Sequence, residues 1–300
     1  MPALSQSVDL GHGRQAAYEV IGEGTPLIYF QGGPGFSAAL LRPEAQLLAD
    51  RFAVYLIDPA GSGGSTPPGD PSQYDHIGHA RFYEEVRLAL GIGPATIMGT
   101  SFGGIVALSY ASLYPQVTRC CIAVASRAVG EEIEDDDAAD EMEAFLSRHS
   151  HQPWYHAARK TWEEWTERVL AAESSHEVDA MMAEVLPLYT ADPERPGVQA
   201  MIADWRRDMK SDLDAIKVWE SGLWQRIDVR PLLAKIECPT LVLVGALDLL
   251  CGPAQGRLIA AGVQGAELVV VPGCGHFIAA EAPDAFRREI VEFAGSTQPR

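Results

Sequence analysis

Short apolar runs alternate with longer stretches of helical periodicity through the first part of the chain, the pattern of β-α-β units around a mostly parallel sheet. Leu27-Ile28-Tyr29-Phe30 reads as a buried strand. It is ended by Gln31-Gly32-Gly33-Pro34-Gly35, too rich in glycine and proline to continue any periodic element. A helix is expected over residues 37–50, then a strand over 52–57, which stops at the glycine-rich Asp58-Pro59-Ala60-Gly61-Ser62-Gly63-Gly64-Ser65. The alternation continues with a helix over 76–90, a strand over 95–98, a helix over 102–114 and a strand over 117–125.

The pattern changes after Ser126. Residues 127–230 contain 24 acidic against 12 basic side chains and all six tryptophans, with helical periodicity and few β-branched runs. This segment is expected to be a helical cap inserted into an α/β core made of residues 1–126 and 231–300. Within it, the acidic run 131–137 is expected to be a solvated loop or helix start. The sheet pattern then resumes with a strand over 240–244, a helix over 253–261, a strand over 268–271 and a closing helix over 283–293.

Composition narrows the functions open to such a chain. Its 300 residues are 47% hydrophobic and 21% charged, well within the globular range. A formal net charge of −18 supplies no basic stripe, so a nucleic-acid partner is not expected. No apolar run reaches the roughly 20 residues of a membrane span, so no membrane association is expected. The first residues carry neither the basic nor the apolar region of a secretory signal, which predicts a cytoplasmic protein. The five cysteines are odd in number, widely spaced and lack a Cys-x-x-Cys pair, so reduced thiols are expected. Cys274 and His276 lack the second ligand pair that a structural zinc requires, and no phosphate-binding glycine signature opens a helix. Neither a metal nor a cofactor is therefore expected.

The sharpest chemical signal is Gly99-Thr100-Ser101-Phe102-Gly103, directly after one expected strand and directly before a helix. A Gly-x-Ser-x-Gly in that setting is a nucleophile elbow, in which the serine hydroxyl stands above the sheet edge. A serine hydroxyl is a weak nucleophile, so it needs a base, and the base needs a partner to fix its tautomer. With the elbow, the order is serine, acid, histidine. Asp248 follows the strand over 240–244 and is the only carboxylate between Glu237 and Glu267, and His276 sits in the glycine-flanked loop after the strand over 268–271. Both stand at carboxyl ends of strands, where open α/β sheets bind ligands. Ser101, Asp248 and His276 are thus the candidate catalytic residues. The oxyanion of an acyl-transfer intermediate needs two backbone N–H donors, and those of Phe102 and Gly33 are placed to supply them.

These motifs resemble the α/β-hydrolase superfamily over essentially the whole chain, and within it the prolyl aminopeptidase (proline iminopeptidase) and tricorn-interacting aminopeptidase group. The His-Gly-Gly-Pro-Gly of that group is matched by Gln31-Gly32-Gly33-Pro34-Gly35, its Asp-Gln-Arg-Gly-x-Gly-x-Ser by Asp58-Pro59-Ala60-Gly61-Ser62-Gly63-Gly64-Ser65, and its Gly-x-x-Asp-x-x-Cys by Gly245-Ala246-Leu247-Asp248-Leu249-Leu250-Cys251. Gln31 replaces the group's histidine, Pro59-Ala60 its Gln-Arg, and Phe102 a frequent tryptophan. Where the group's cap shows Trp-x-x-Trp-Glu, Trp162 and Trp165 are followed here by Thr166. The resemblance implies an α/β-hydrolase fold, a mostly parallel sheet with helices on both faces and an inserted cap. It also implies a serine hydrolase acting on a small amide or short peptide with a free amino terminus. Trp162, Glu164, Trp165, Trp205, Trp219 and Glu220 are the cap residues singled out for substrate contact. An esterase or lactonase on a small to medium hydrophobic ester, and a non-hydrolytic lyase or ligand-binding member of the same fold, remain open readings.

Overall fold

The computed structural model describes residues 3–130 and 147–296, so the acidic run at 131–137 lies outside the described residues. Strands β1 (Gln6–Gly11), β2 (Arg14–Ile21), β3 (Thr25–Phe30), β4 (Phe52–Ile57), β5 (Ala95–Thr100), β6 (Thr118–Val124), β7 (Thr240–Gly245) and β8 (Glu267–Val271) form one sheet in the order 1-2-4-3-5-6-7-8. β2 pairs antiparallel with both β1 and β4, and every other pairing is parallel. The six strands from β3 onward fall within two or three residues of the apolar runs that announce them. β1 and β2 have no such announcement. They form a hairpin at the sheet edge in which only Ala16 and Ala17 are buried, and polar residues interrupt the apolar ones, so no unbroken apolar run marks them.

Alternation within the central strands builds two cores. Leu27 and Tyr29 of β3 face one way, toward α1 (Arg42–Gln46), α11 (Ile278–Glu281) and α12 (Pro283–Ser296), with Met98, Ile122, Leu243, Phe286 and Ile290. Ile28 and Phe30 face the other way, toward α2 (His76–Ala89), α3 (Phe102–Leu113) and α10 (Pro253–Gly262), with Ile97, Val106, Val242 and Ile259. A period of two on a sheet covered on both faces requires both sets to be apolar.

The expected helix over 37–50 is instead a 3-10 turn (Ala38–Leu41), capped by the Ser37 side chain, followed by the short α1. Pro43 near the start of α1 contributes no N–H to an upstream turn, which breaks one long helix into two. Beyond α1 the chain closes with i→i−3 bonds from Leu47, Leu48 and Ala49 rather than a further helical turn.

Between β6 and β7 the described residues are helical: α4 (Tyr155–Glu163), α5 (Trp165–Ala171), α6 (Ser175–Val185), α7 (Pro196–Asp208), α8 (Leu213–Val218) and α9 (Arg230–Leu233), with a π turn at Trp219–Leu223. They share a third core of Val169, Val178, Met181, Val185, Val198 and Ile202, to which Phe36 and Phe277 of the sheet-edge loops also belong. Among the described residues no helix is long and apolar enough to cross a membrane.

The topology decides where chemistry can occur. β4 lies on one side of β3 and β5 on the other, so the chain order reverses at β3. The loops leaving β3 and β5 are therefore neighbours in the crevice at the strand carboxyl ends.

Candidate active site

Ser101 sits at the turn between β5 and α3 with φ 57° and ψ −123°, one of three described non-glycine residues at positive φ. That conformation is costly for a residue with a Cβ and persists only where the surroundings impose it. Here they do: Ser101 N–H donates to the Val124 carbonyl at 2.9 Å, and the Ser126 hydroxyl donates to the Ser101 carbonyl at 3.0 Å. The flanking glycines are needed for close approach. A Cβ on Gly99 would stand 2.0 Å from the Gly103 oxygen, and one on Gly103 would stand 2.2 Å from the Phe30 oxygen. Any side chain at either position would force strand and helix apart.

The loop after β3 lies against this turn, since a Cβ on Gly32 would be 2.7 Å from the Thr100 oxygen and 3.2 Å from the Ser101 Cβ. The N–H groups of Gly33 and Phe102 have no acceptor among the described residues. Asp58, fully buried, braces the loop by accepting from Ser37 Oγ at 2.7 Å, Ala38 N at 2.8 Å and Gly64 N at 2.8 Å. Burial raises its pKa, and these donors oppose the rise.

Asp248 and His276 meet at the same rim. Asp248 Oδ2 is 2.8 Å from His276 Nδ1, and its Oδ1 accepts from the N–H groups of Leu250 at 2.9 Å and Cys251 at 3.0 Å. An ionised carboxylate can only accept, so Nδ1 carries the proton and the Nε2 lone pair is left free. The two loops are tied together by Leu247 N–H donating to the Cys274 carbonyl at 2.8 Å. Glu281 braces the histidine loop further, accepting from Gly275 N at 2.9 Å and Ala191 N at 2.8 Å.

Cys251 links the two halves of the site. Its thiol is in hydrogen-bond contact with the Ser101 side chain, and its sulfur lies within 4.8 Å of ligand atoms of both Asp248 and His276. Ser101, Asp248 and His276 are thereby gathered at one place. Asp248, Cys251 and His276 are also spaced as metal ligands would be. Their chemistry does not fit a metal: burial holds the thiol pKa far above its usual value, whereas a metal needs a thiolate. Nδ1 and both carboxylate oxygens are already engaged.

The helical segment between β6 and β7 brings aromatic side chains to this rim. Trp219 meets the Phe102 ring edge-on at 4.5 Å, Trp162 meets Tyr189 at 5.3 Å, and Trp205 meets Phe277 at 5.3 Å. Tyr189 and Phe277 in turn flank the His276 ring at 5.8 and 5.4 Å. Tyr189 also accepts the His276 N–H through its carbonyl at 2.7 Å. Glu220 is buried beside Trp219 and accepts from Trp165 Nε1 at 2.9 Å and Thr166 Oγ1 at 2.7 Å. Its charge reaches the Tyr189 phenol, whose pKa is raised first by burial and then by Glu220. Glu164 is different: it forms the joint between α4 and α5, and its side chain makes no hydrogen bond or ion pair among the described residues.

Several residues at this rim carry no readable sign in the sequence. Tyr189 arrives from a distant segment, Phe277 and Glu281 follow His276 without any motif to mark them, and only Cys251 stood within a matched motif. Tyr29 and Glu44 also lie close by: the Tyr29 hydroxyl donates to Glu44 and stands 2.6 Å from Oγ1 of Thr100, the residue before Ser101.

Relatives agree with this arrangement at the level of the fold. RutD of Azorhizobium caulinodans, provisionally named a carbamate hydrolase, is 26% identical over 281 residues, covering 93% of this chain and 94% of that protein. The proline iminopeptidase of Aeromonas sobria is 37% identical over 109 residues, covering 30% of this chain and 25% of that enzyme. The enol-lactonase of Burkholderia xenovorans LB400 superposes with a TM-score of 0.71 at 23% identity, covering 96% of this chain and 99% of that one. The family model for the alpha/beta hydrolase fold matches residues 25–283, and the chain belongs to that family, whose members near it are hydrolases.

Proposed function

We propose that the protein is a serine hydrolase whose Ser101 attacks a carbonyl carbon of a small acyl substrate bearing a free ammonium group. In this reading His276 Nε2 takes the Ser101 proton as the C–O bond forms, and Asp248 stabilises the imidazolium through Nδ1. The oxyanion is held by the N–H groups of Phe102 and Gly33. Collapse of the tetrahedral intermediate expels the amine or alcohol, which leaves with the proton from His276. Water then attacks the acyl-enzyme by the same route in reverse, releasing the acid and restoring Ser101.

Glu220 carries the substrate part of the reading. It is a buried carboxylate with two neutral donors and, among the described residues, no ion-pair partner. A buried anion without a cation is unfavourable on its own, and an α-ammonium group in an aromatic pocket would complete it by charge and by cation–π contact with Trp165 or Trp219. The partial likeness to a proline iminopeptidase points the same way. A second reading, a neutral ester or lactone, is favoured by the aromatic walls of Trp162, Trp205, Trp219 and Phe277, which suit an uncharged acyl chain.

Turnover of proline p-nitroanilide beside p-nitrophenyl acetate and butyrate separates the two. Anilide turnover lost in Ser101→Ala is expected. Ester turnover alone leaves the second reading, and absence of any turnover with labelled Ser101 points to a ligand-binding protein.

A further inference from the structure

Beneath the elbow, on the face of the sheet that carries α1 and α12, a chain of polar side chains has no part in the mechanism so far. The Tyr29 hydroxyl donates to the Glu44 carboxyl and lies 2.6 Å from Thr100 Oγ1. The single phenolic proton is used on Glu44, so the Thr100 hydroxyl is the donor to Tyr29. Thr100 ends β5 and immediately precedes Ser101. The chain therefore runs from α1 through β3 to the residue that sets the elbow.

We propose that Glu44 is a positioning residue for the reaction at Ser101: its carboxyl anchors the Tyr29–Thr100 chain under the elbow, and its negative charge, when present, favours the imidazolium form of His276. The inference rests on the serine-hydrolase reading. Burial pushes the Glu44 carboxyl up to about 7, against the opposing pull of the Tyr29 hydrogen bond and of His276. Coupling between two sites is reciprocal, so whatever His276 does to Glu44, Glu44 does to His276. An apolar residue would fill the same space without the cost of burying a carboxyl, and such groups concentrate where their charge is used.

The surroundings leave few competitors for this role. Among the described residues Tyr29 of β3 is the side chain hydrogen-bonded to Glu44, and Thr100 of β5 stands next along the same chain; His276, after β8, acts on the Glu44 carboxyl through charge alone. On the other elements packed against α1, Glu19 of β2 is paired with Arg42 of α1 itself, and Arg14 of β2 with Glu85. The phenols Tyr18 of β2 and Tyr55 of β4 complete the titratable groups there. Around His276 the further carboxylates are Asp248, bonded to it, and Glu281, committed to two backbone N–H groups.

The test is the second-order rate of Ser101 labelling by a fluorophosphonate between about pH 5 and 9, which needs no knowledge of the substrate. In Glu44→Gln the acid limb is expected to move down by about 0.5 to 1 pH unit, because the base loses a stabilising anion, and the plateau to fall about three- to tenfold. A purely structural role would lower the plateau and leave the limb where it was. In the wild-type protein, the His276 ring-proton resonance, assigned by its loss in His276→Gln, is expected to show a second inflection near 7 from Glu44. That measurement stands even where the variant fails to fold. Superimposable acid limbs, or a single inflection at His276, overturn the proposal. No labelling of the wild type at any pH removes the hydrolase reading and this proposal with it.

Discussion

Glu44→Gln should stabilise the protein in alkali and leave it nearly unchanged in acid. The carboxyl moves from its ordinary value of 4.5 to about 7 on folding, chiefly through burial. Across that interval the folded protein keeps a proton that the unfolded chain has released, so stability falls as pH rises. The contribution is present in full below about 4.5 and is lost by the time the pH has passed about 7. At 1.36 kcal/mol per pH unit the loss is about 3 kcal/mol, and partial solvent access to Glu44 brings the working figure to about 2. Glutamine accepts the Tyr29 hydrogen bond much as a neutral carboxyl does but never ionises. At about pH 5 the variant and wild type should therefore unfold within about 1 °C of each other, whereas at about pH 8.5 the variant should unfold about 4 °C higher. Thermal melts followed by circular dichroism at both pH values and one scan rate supply the comparison. An offset that is the same at the two pH values would refute the argument, and a variant less stable in alkali would show that the Glu44 charge is favoured in the folded state.

Three further outcomes are expected. Asp248→Asn should keep the fold and lower kcat by about 10⁴, since an amide cannot hold Nδ1 as the protonated nitrogen; a loss below tenfold in single-turnover kinetics would remove Asp248 from its assigned role. Glu220→Gln should raise KM for proline p-nitroanilide by about tenfold or more, the equivalent of 1.4 kcal/mol, while p-nitrophenyl acetate kinetics stay level; equal effects on both substrates would argue against ammonium capture. Asp58→Ala strips three donors of their acceptor and should cost about 3 kcal/mol, or about 6 °C in Tm; a melt within about 1 °C of wild type would mean that water or a rearranged loop satisfies them.

The strands that carry the site could be read from the chain because they are buried on both faces and so appear as unbroken apolar runs, as in Leu27-Ile28-Tyr29-Phe30. The edge hairpin β1–β2 could not, because an exposed edge has no need of such runs. The elbow was legible for a local reason. Glycine at 99 and 103 is demanded by contacts within a few residues or with the adjacent strand. Glu44 had no such mark: a single glutamate in a short helix is ordinary on a surface, and only β3 and β5, brought side by side, turn it inward toward Tyr29 and Thr100.

Local chemistry written in the sequence by itself determined the strand-turn-helix at Ser101, the glycine loop beside it and the carboxylate and imidazole that follow later strands, since each depends on near neighbours and on strand order. Only the tertiary structure decided which cap groups meet the reacting centre. Tyr189 reaches the His276 ring and Trp219 the Phe102 ring from the helical segment between β6 and β7, with Glu220 near enough to raise the Tyr189 pKa, whereas Glu164, equally acidic and next to Trp165, stays apart at a helix joint. The reason is physical: contacts between helices depend on packing angles and long-range burial, which residue types at fixed spacing do not encode.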